Sequence, residues 1–127
     1  MNILNNMMGM QEQTLQLKAR RLEVIAQNIA NADTPNYKAQ DLDFKAMLKE
    51  VKKDYLTATH DKHFAAVADA PDNGMRYRTP FNSSFDGNTV EISVEQAQFG
   101  KAAGDYQATS QFLENRIGGI RKALRGE

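Results

Sequence analysis

Apolar residues recur at heptad spacing at both ends of this chain and lose that spacing in between. Near the N-terminus Met8, Leu15, Leu22 and Ile29 fall seven apart, and Ala19, Ile25 and Ala26 widen the row into a stripe along one helix face. Near the C-terminus Phe99, Tyr106, Leu113 and Ile120 repeat the interval, with Ala103, Ser110, Ile117 and Leu124 four residues after each. Two interleaved rows of this kind make a coiled-coil-like seam. Only 41% of the 127 residues are hydrophobic and none is tryptophan, so little core material remains for the middle. Each stripe must therefore be covered by the other or by a second molecule. The expected fold is mainly α: long N- and C-terminal helices in an antiparallel coiled-coil-like pair, joined by a short helix and a poorly ordered polar middle segment.

The boundaries follow from local chemistry. Residues 1–10, with Asn2, Asn5, Asn6 and Gly9, are poor helix formers expected to fray, which puts the N-terminal helix at 11–31. Leu17 and Val24 lie off its main stripe and imply contact on a second side. Pro35 disfavours the α conformation at Thr34, and Asn31 and Asp33 readily cap or turn a chain. Thr34, Pro35, Asn36 and Tyr37 read as a β-turn, with proline at the second position and asparagine tolerating the positive φ of a type II turn at the third. A turn and extended segment occupies 32–42. A short helix over 43–53 buries Phe44, Met47, Leu48 and Val51, is capped by Asp41 or Asp43, and turns Lys49, Lys52 and Lys53 to water. Residues 54–90 are irregular or extended, with Met75 to Arg78 as a short extended piece. The C-terminal helix runs over 91–124, and the whole of 1–127 reads as one domain. Asn88 with Glu91, and Ser93 with Gln96, both have capping-box spacing at its start. Arg121, Lys122 and Arg125 complement the dipole at its end. Gly100, Gly104, Gly118 and Gly119 each cost about 1 kcal/mol against alanine, so packing must hold this helix. Close approach of a neighbouring helix and plain flexibility account for Gly100 and Gly104, four apart, equally well.

Composition excludes several functions. Basic and acidic residues number 16 each, so no field draws nucleic acid or an anionic membrane. No stretch reaches the apolar length of a membrane span, and MNILNNMMGM lacks the pattern of a secretory signal. With no cysteine there is neither a disulfide scaffold nor a thiolate metal site. His60 and His63 have helical i, i+3 spacing but no third ligand. Asp41 and Asp43 would diverge on a helix and suit capping better than acid–base work. No phosphate loop or nucleophile elbow is present. The expectation is a non-enzyme with no catalytic residue, cofactor, metal or small-molecule substrate.

The sequence NIANADTPNYK at residues 28–38 resembles the N-terminal signature of the flagellar rod and hook axial proteins. That family usually has glycine where this chain has Asn36, the next best residue for positive φ. LTATHDKH at residues 56–63 resembles the T-H-x-x-H segment of the short proximal-rod members, and DGNTV at residues 86–90 resembles their entry to the C-terminal helix. The resemblance implies a structural subunit of the basal-body proximal rod, a helical drive shaft that transmits torque and encloses the export channel. It implies terminal helices forming the inner wall, with the Pro35 turn bridging to neighbouring subunits. Partners would be other copies of the chain, other rod proteins, the rod adaptor at the membrane ring and the export gate. The location would be the periplasmic rod, reached by type III export without a cleaved signal peptide.

The residues expected at assembly interfaces are Leu15, Leu22, Ile25, Ile29, Phe99, Tyr106, Leu113, Ile117 and Ile120. The signature and turn are carried by Asn28, Asn31, Asp33, Thr34, Pro35, Asn36 and Tyr37. Two other readings use the same residues: a small helical-hairpin module, such as an export chaperone or regulator, and a metal enzyme built on His60 and His63.

Overall fold

The computed structural model describes residues 2–55, 74–82 and 84–126, so the histidine segment at residues 60–63 lies outside the described residues. Helix α1 spans Asn2–Ala30 and helix α3 spans Ile92–Arg125. Between them lie strand β1 (Gln40–Leu42), helix α2 (Phe44–Tyr55) and strand β2 (Met75–Tyr77). Lys18 meets Thr109 and Asn28 meets Glu95, so α1 and α3 run antiparallel.

Helix α1 starts nine residues earlier than expected. Once a helix is nucleated, each added residue brings one more backbone hydrogen bond. Met7, Met8 and Met10 are good helix formers, and they offset the asparagines and Gly9. The end of α1 falls at Ala30, where the chain turns. Tyr37 N–H donates to the Thr34 carbonyl at 3.3 Å, and Asn36 has φ 60°, the value a type II turn demands at its third position.

Beyond the turn, β1 pairs antiparallel with β2, Gln40 opposite Tyr77 and Leu42 opposite Met75, which realises the extended piece expected at residues 75–78. Asp43, not Asp41, caps α2: its carboxylate accepts the Ala46 N–H at 3.1 Å. Glu91 stands at the N-cap of α3 without capping it, because its carboxylate accepts the Phe81 N–H at 2.8 Å. Neither capping-box pair forms at this helix start. At the other end Gly126, in the left-handed region, closes α3.

Among the described residues the buried apolar core is small: Leu17, Val24, Ile25, Ala39, Leu42 and Ala102. It sits where α1 is flanked by α2 and β1 as well as by α3. Here the apolar stripe read from the sequence is displaced. Ala19 and Ala26 are exposed, Leu15, Leu22 and Ile29 are half-buried, and the buried row is Leu17, Val24, Ile25 and Asn28. At 3.6 residues per turn that row lies roughly a third of a turn around α1 from the Leu22 row. The second side implied by Leu17 and Val24 is thus covered by the chain's own middle elements, and the heptad row is left at the margin.

Candidate assembly site at the helix junction

Asn28 is completely buried in the last turn of α1 and uses every hydrogen-bonding position of its amide. Its Nδ2 donates to the Gln40 carbonyl at 2.6 Å and to Glu95 at 3.2 Å. Its Oδ1 accepts the Gln40 N–H at 3.1 Å and the Tyr37 hydroxyl at 3.4 Å. The side chain therefore imitates a strand neighbour for Gln40, and fastens the chain just beyond the turn to the helix it has left.

Glu95, also completely buried, faces Asn28 from α3. Arg78 supplies its counter-charge: Nη1 lies 2.6 Å from Glu95, while Nη2 lies 2.9 Å from Asp41. Arg21 on α1 completes the chain of charges, with Nε 3.2 Å from Asp41 and Nη2 within reach of Gln98. Four charged residues from α1, β1, the end of β2 and α3 thus alternate in sign across the junction. A buried carboxylate is tolerable only when paired and hydrogen-bonded in this way.

The turn after α1 is fastened from a distance. The last carbonyls of the helix itself are met locally, those of Gln27 and Asn28 by the Asn31 N–H at 3.1 and 3.2 Å and that of Ile29 by the Ala32 N–H at 3.2 Å. Asn88 Nδ2 donates to the carbonyls of Asn31, Ala32 and Thr34 at 2.9, 2.9 and 2.7 Å. Residues 36–39 then run beside residues 86–89. Asn36 N–H donates to the Asp86 carbonyl, Thr89 N–H to that of Tyr37, and Ala39 N–H to the Thr89 hydroxyl. Lys38 donates to the Gly87 carbonyl. The approach is close: a Cβ at Gly87 would stand 2.6 Å from Asn36 Oδ1, and Gly87 has φ 76°. Asp86 accepts from the Ser84 hydroxyl at 2.6 Å and from the Asn88 N–H at 3.0 Å, and these bonds hold its carboxyl below the ordinary value. The two signature segments, about 50 residues apart in sequence, are one structural unit.

Away from the junction one flank of the helix pair is open. Leu22 from α1 and Ala103, Tyr106 and Ser110 from α3 line a groove of about 550 Å³, bounded by Gln107, Gln111 and Glu114. On the other flank Lys18, Arg21, Phe44, Ala102 and Asp105 enclose a smaller cavity of about 110 Å³, with the Lys18 ammonium 5.8 Å from the Phe44 ring centre.

Residues 8–38, which include the turn and most of α1, match the family model for the flagella basal body rod protein. The flagellar basal body rod protein FlgB of Aeromonas hydrophila is 40% identical, over 94% of this chain and 92% of that protein. Its counterpart in Escherichia coli is 40% identical over 91% and 90%, and that in Salmonella typhimurium 38% identical over 91% of each. The chain belongs to the FlgB family of flagellar basal body rod proteins. Members of the FlgB family are structural proteins and not enzymes.

In this FlgB-family chain the expected interface residues are divided. Ile25 is spent inside the chain, fully buried. Leu15, Leu22, Ile29, Tyr106, Leu113, Ile117 and Ile120 are half-buried, and Phe99 is exposed. Of the signature residues, Asn28 is buried, Asn31 and Tyr37 are half-buried, and Asp33, Thr34, Pro35 and Asn36 face water. Sequence reasoning missed Arg21, Asp41, Arg78 and Glu95 as a network, and it set Asn88 at the wrong helix. One signal was available. Glu95, Ala102 and Thr109 recur every seven residues along the side of α3 that meets α1, a register hidden from any search restricted to apolar residues. Among the described residues no cluster of three or more metal-ligating side chains is present, and no helix is long and apolar enough to cross a membrane.

Proposed function

We propose that this component of the flagellar basal-body rod is a self-assembling subunit of its proximal part, in a helical shaft that transmits torque and encloses the export channel. The observation that carries this reading is the incomplete cover on the terminal helices. The junction satisfies its polar groups internally, whereas Leu15, Leu22 and Ile29 on α1 and Tyr106, Leu113 and Ile117 on α3 keep apolar surface half open along one flank. A second face on each helix is what a subunit needs in order to pack against copies around and above it, and a heterologous contact repeated without closure gives a helical tube. The exposed turn at Asp33 to Asn36 projects from the end of the pair and is available to bridge to a neighbour. Other rod proteins, the adaptor at the membrane ring and the export gate are the partners this reading names, with delivery through the export channel and no cleaved signal.

Leu22→Asp tests it. Leu22 is half-buried at the edge of the groove, so the folded chain accommodates the change, while a charge confined in an apolar contact between subunits costs several kcal/mol. The expected result is loss of swimming and of assembled rods in a strain whose only copy carries the change, with helix content of the purified chain retained. Leu113→Asp should behave alike. Normal motility with either variant would overturn the reading.

A further inference from the structure

At the end of β2 and in the segment leading to α3 three aromatic rings stand almost entirely in water: Tyr77 is 72% exposed, Phe81 87% and Phe85 114%. Their backbone is nonetheless fixed. Arg78 N–H donates to the Ala39 carbonyl while its side chain joins the buried charge network, Phe81 N–H is held by Glu91, and Gly87 and Asn88 are bound into the junction. Large rings presented on an anchored backbone lose little freedom on docking, which is the character of interface anchors.

We infer that Phe81 and Phe85 dock into the groove at Leu22, Tyr106 and Ser110 of a second copy of this chain. The inference rests on the rod-subunit reading and supplies one contact within it. The geometry requires another molecule. Phe81 is tied to Glu91 at the start of α3, and Tyr106 to Ser110 lie fifteen to nineteen residues further along that helix, roughly 25 Å away at 1.5 Å per residue. The loop therefore cannot fill its own groove. The groove's volume of about 550 Å³ accommodates aromatic rings, and it opens where the apolar stripes are left half covered. Each ring buries about 150–250 Å², so the two rings and the surface they cover remove roughly 600–1,000 Å² from water. A stable pair buries about 1,200–2,000 Å². One such contact falls short of that range and holds by repetition, because each copy offers both a knob and a groove. Because knob and groove sit at different places on one molecule, the contact propagates instead of closing on a pair.

The chain has no cysteine, so introduced thiols report this contact alone. A chain carrying both Phe85→Cys and Ser110→Cys, expressed as the only copy in a motile strain, should give a ladder of disulfide-linked dimers, trimers and higher species when isolated basal bodies are oxidised. Either change alone should give none. A missing ladder in swimming cells overturns the contact and leaves the rod-subunit reading standing. So do dimers from Phe85→Cys alone, or adducts with a different protein. Failure of the unaltered chain to restore swimming to a strain lacking it would instead overturn the rod-subunit reading, and this contact with it. As a second arm, Phe81→Ser with Phe85→Ser should leave the thermal midpoint of the purified chain unchanged, since both rings are exposed, and should cut swimming at least tenfold. Undiminished swimming would overturn the contact.

Discussion

Glu95 is the position with the least freedom to change, a carboxylate with no surface in water, whose only charged partner among the described residues is Arg78. Arg78→Ala would leave that charge facing an amide alone, and breaking a buried pair from one side costs about 3–5 kcal/mol. Urea unfolding of the variant should show it as a lowered midpoint. Asp86 responds to acid. Its carboxyl sits below the ordinary 3.8, first because the Ser84 hydroxyl donates to it and next because the Asn88 amide does. A carboxyl with a depressed pKa contributes stability above its unfolded value and loses it as pH falls through its folded value. Asp86→Asn should therefore flatten the loss of stability on acidification below about pH 4, measured by thermal unfolding across pH. Asn36 tests backbone geometry. At φ 60°, Asn36→Gly should be neutral or mildly stabilising, and Asn36→Val strained by roughly 1–2 kcal/mol. Equal unfolding midpoints for the three chains would remove any constraint at this turn.

Among the elements, α3 carries a cost that the isolated chain does not explain. A Cβ at Gly100, Gly104, Gly118 or Gly119 would meet nothing within 4 Å. Gly100→Ala with Gly104→Ala should raise the thermal midpoint of the purified chain, at about 1 kcal/mol per site. The same substitution at Gly87, which meets Asn36 and has positive φ, should lower it. The helices, the end of α1 near Ala30 and the turn were legible in the sequence because apolar period and proline chemistry are local signals. What held the elements together was not. Asn28, Arg78 and Glu95 are polar residues drawn into the interior by one another, so each looks like a surface residue until its partner is placed. Asn88 shows the same blindness: its spacing to Glu91 suggests the cap of its own helix, while its amide fastens a turn more than 50 residues earlier in the chain. The stripe on α1 was read at the right spacing with its cover left open between α3 and a second molecule, because periodicity marks apolar faces without saying which of two neighbours covers them.

For the molecule as a whole, stability should be graded along its length. The charge network, the asparagine locks and the strand pair all gather at one end, while Phe112 and Leu124 further along α3 are 61% and 84% exposed. Amide exchange of the purified chain should show protection strongest for residues 17–30 and 92–102, falling steadily toward Asn2 and Arg125; uniform protection along both helices would contradict this gradient. The antiparallel pairing also puts the first residues of α1 and the last of α3 at the same end, since 29 and 34 residues extend roughly 44 and 51 Å from the junction. The molecule is an arrow, with a stiff head at the turn and a tail holding the first turn of α1 and the last turn of α3. A stack of arrows laid head to tail is itself directional, and its two tips offer different chemistry to whatever arrives next. A fluorescent label on Asn5 or on Arg125 would mark the same tip.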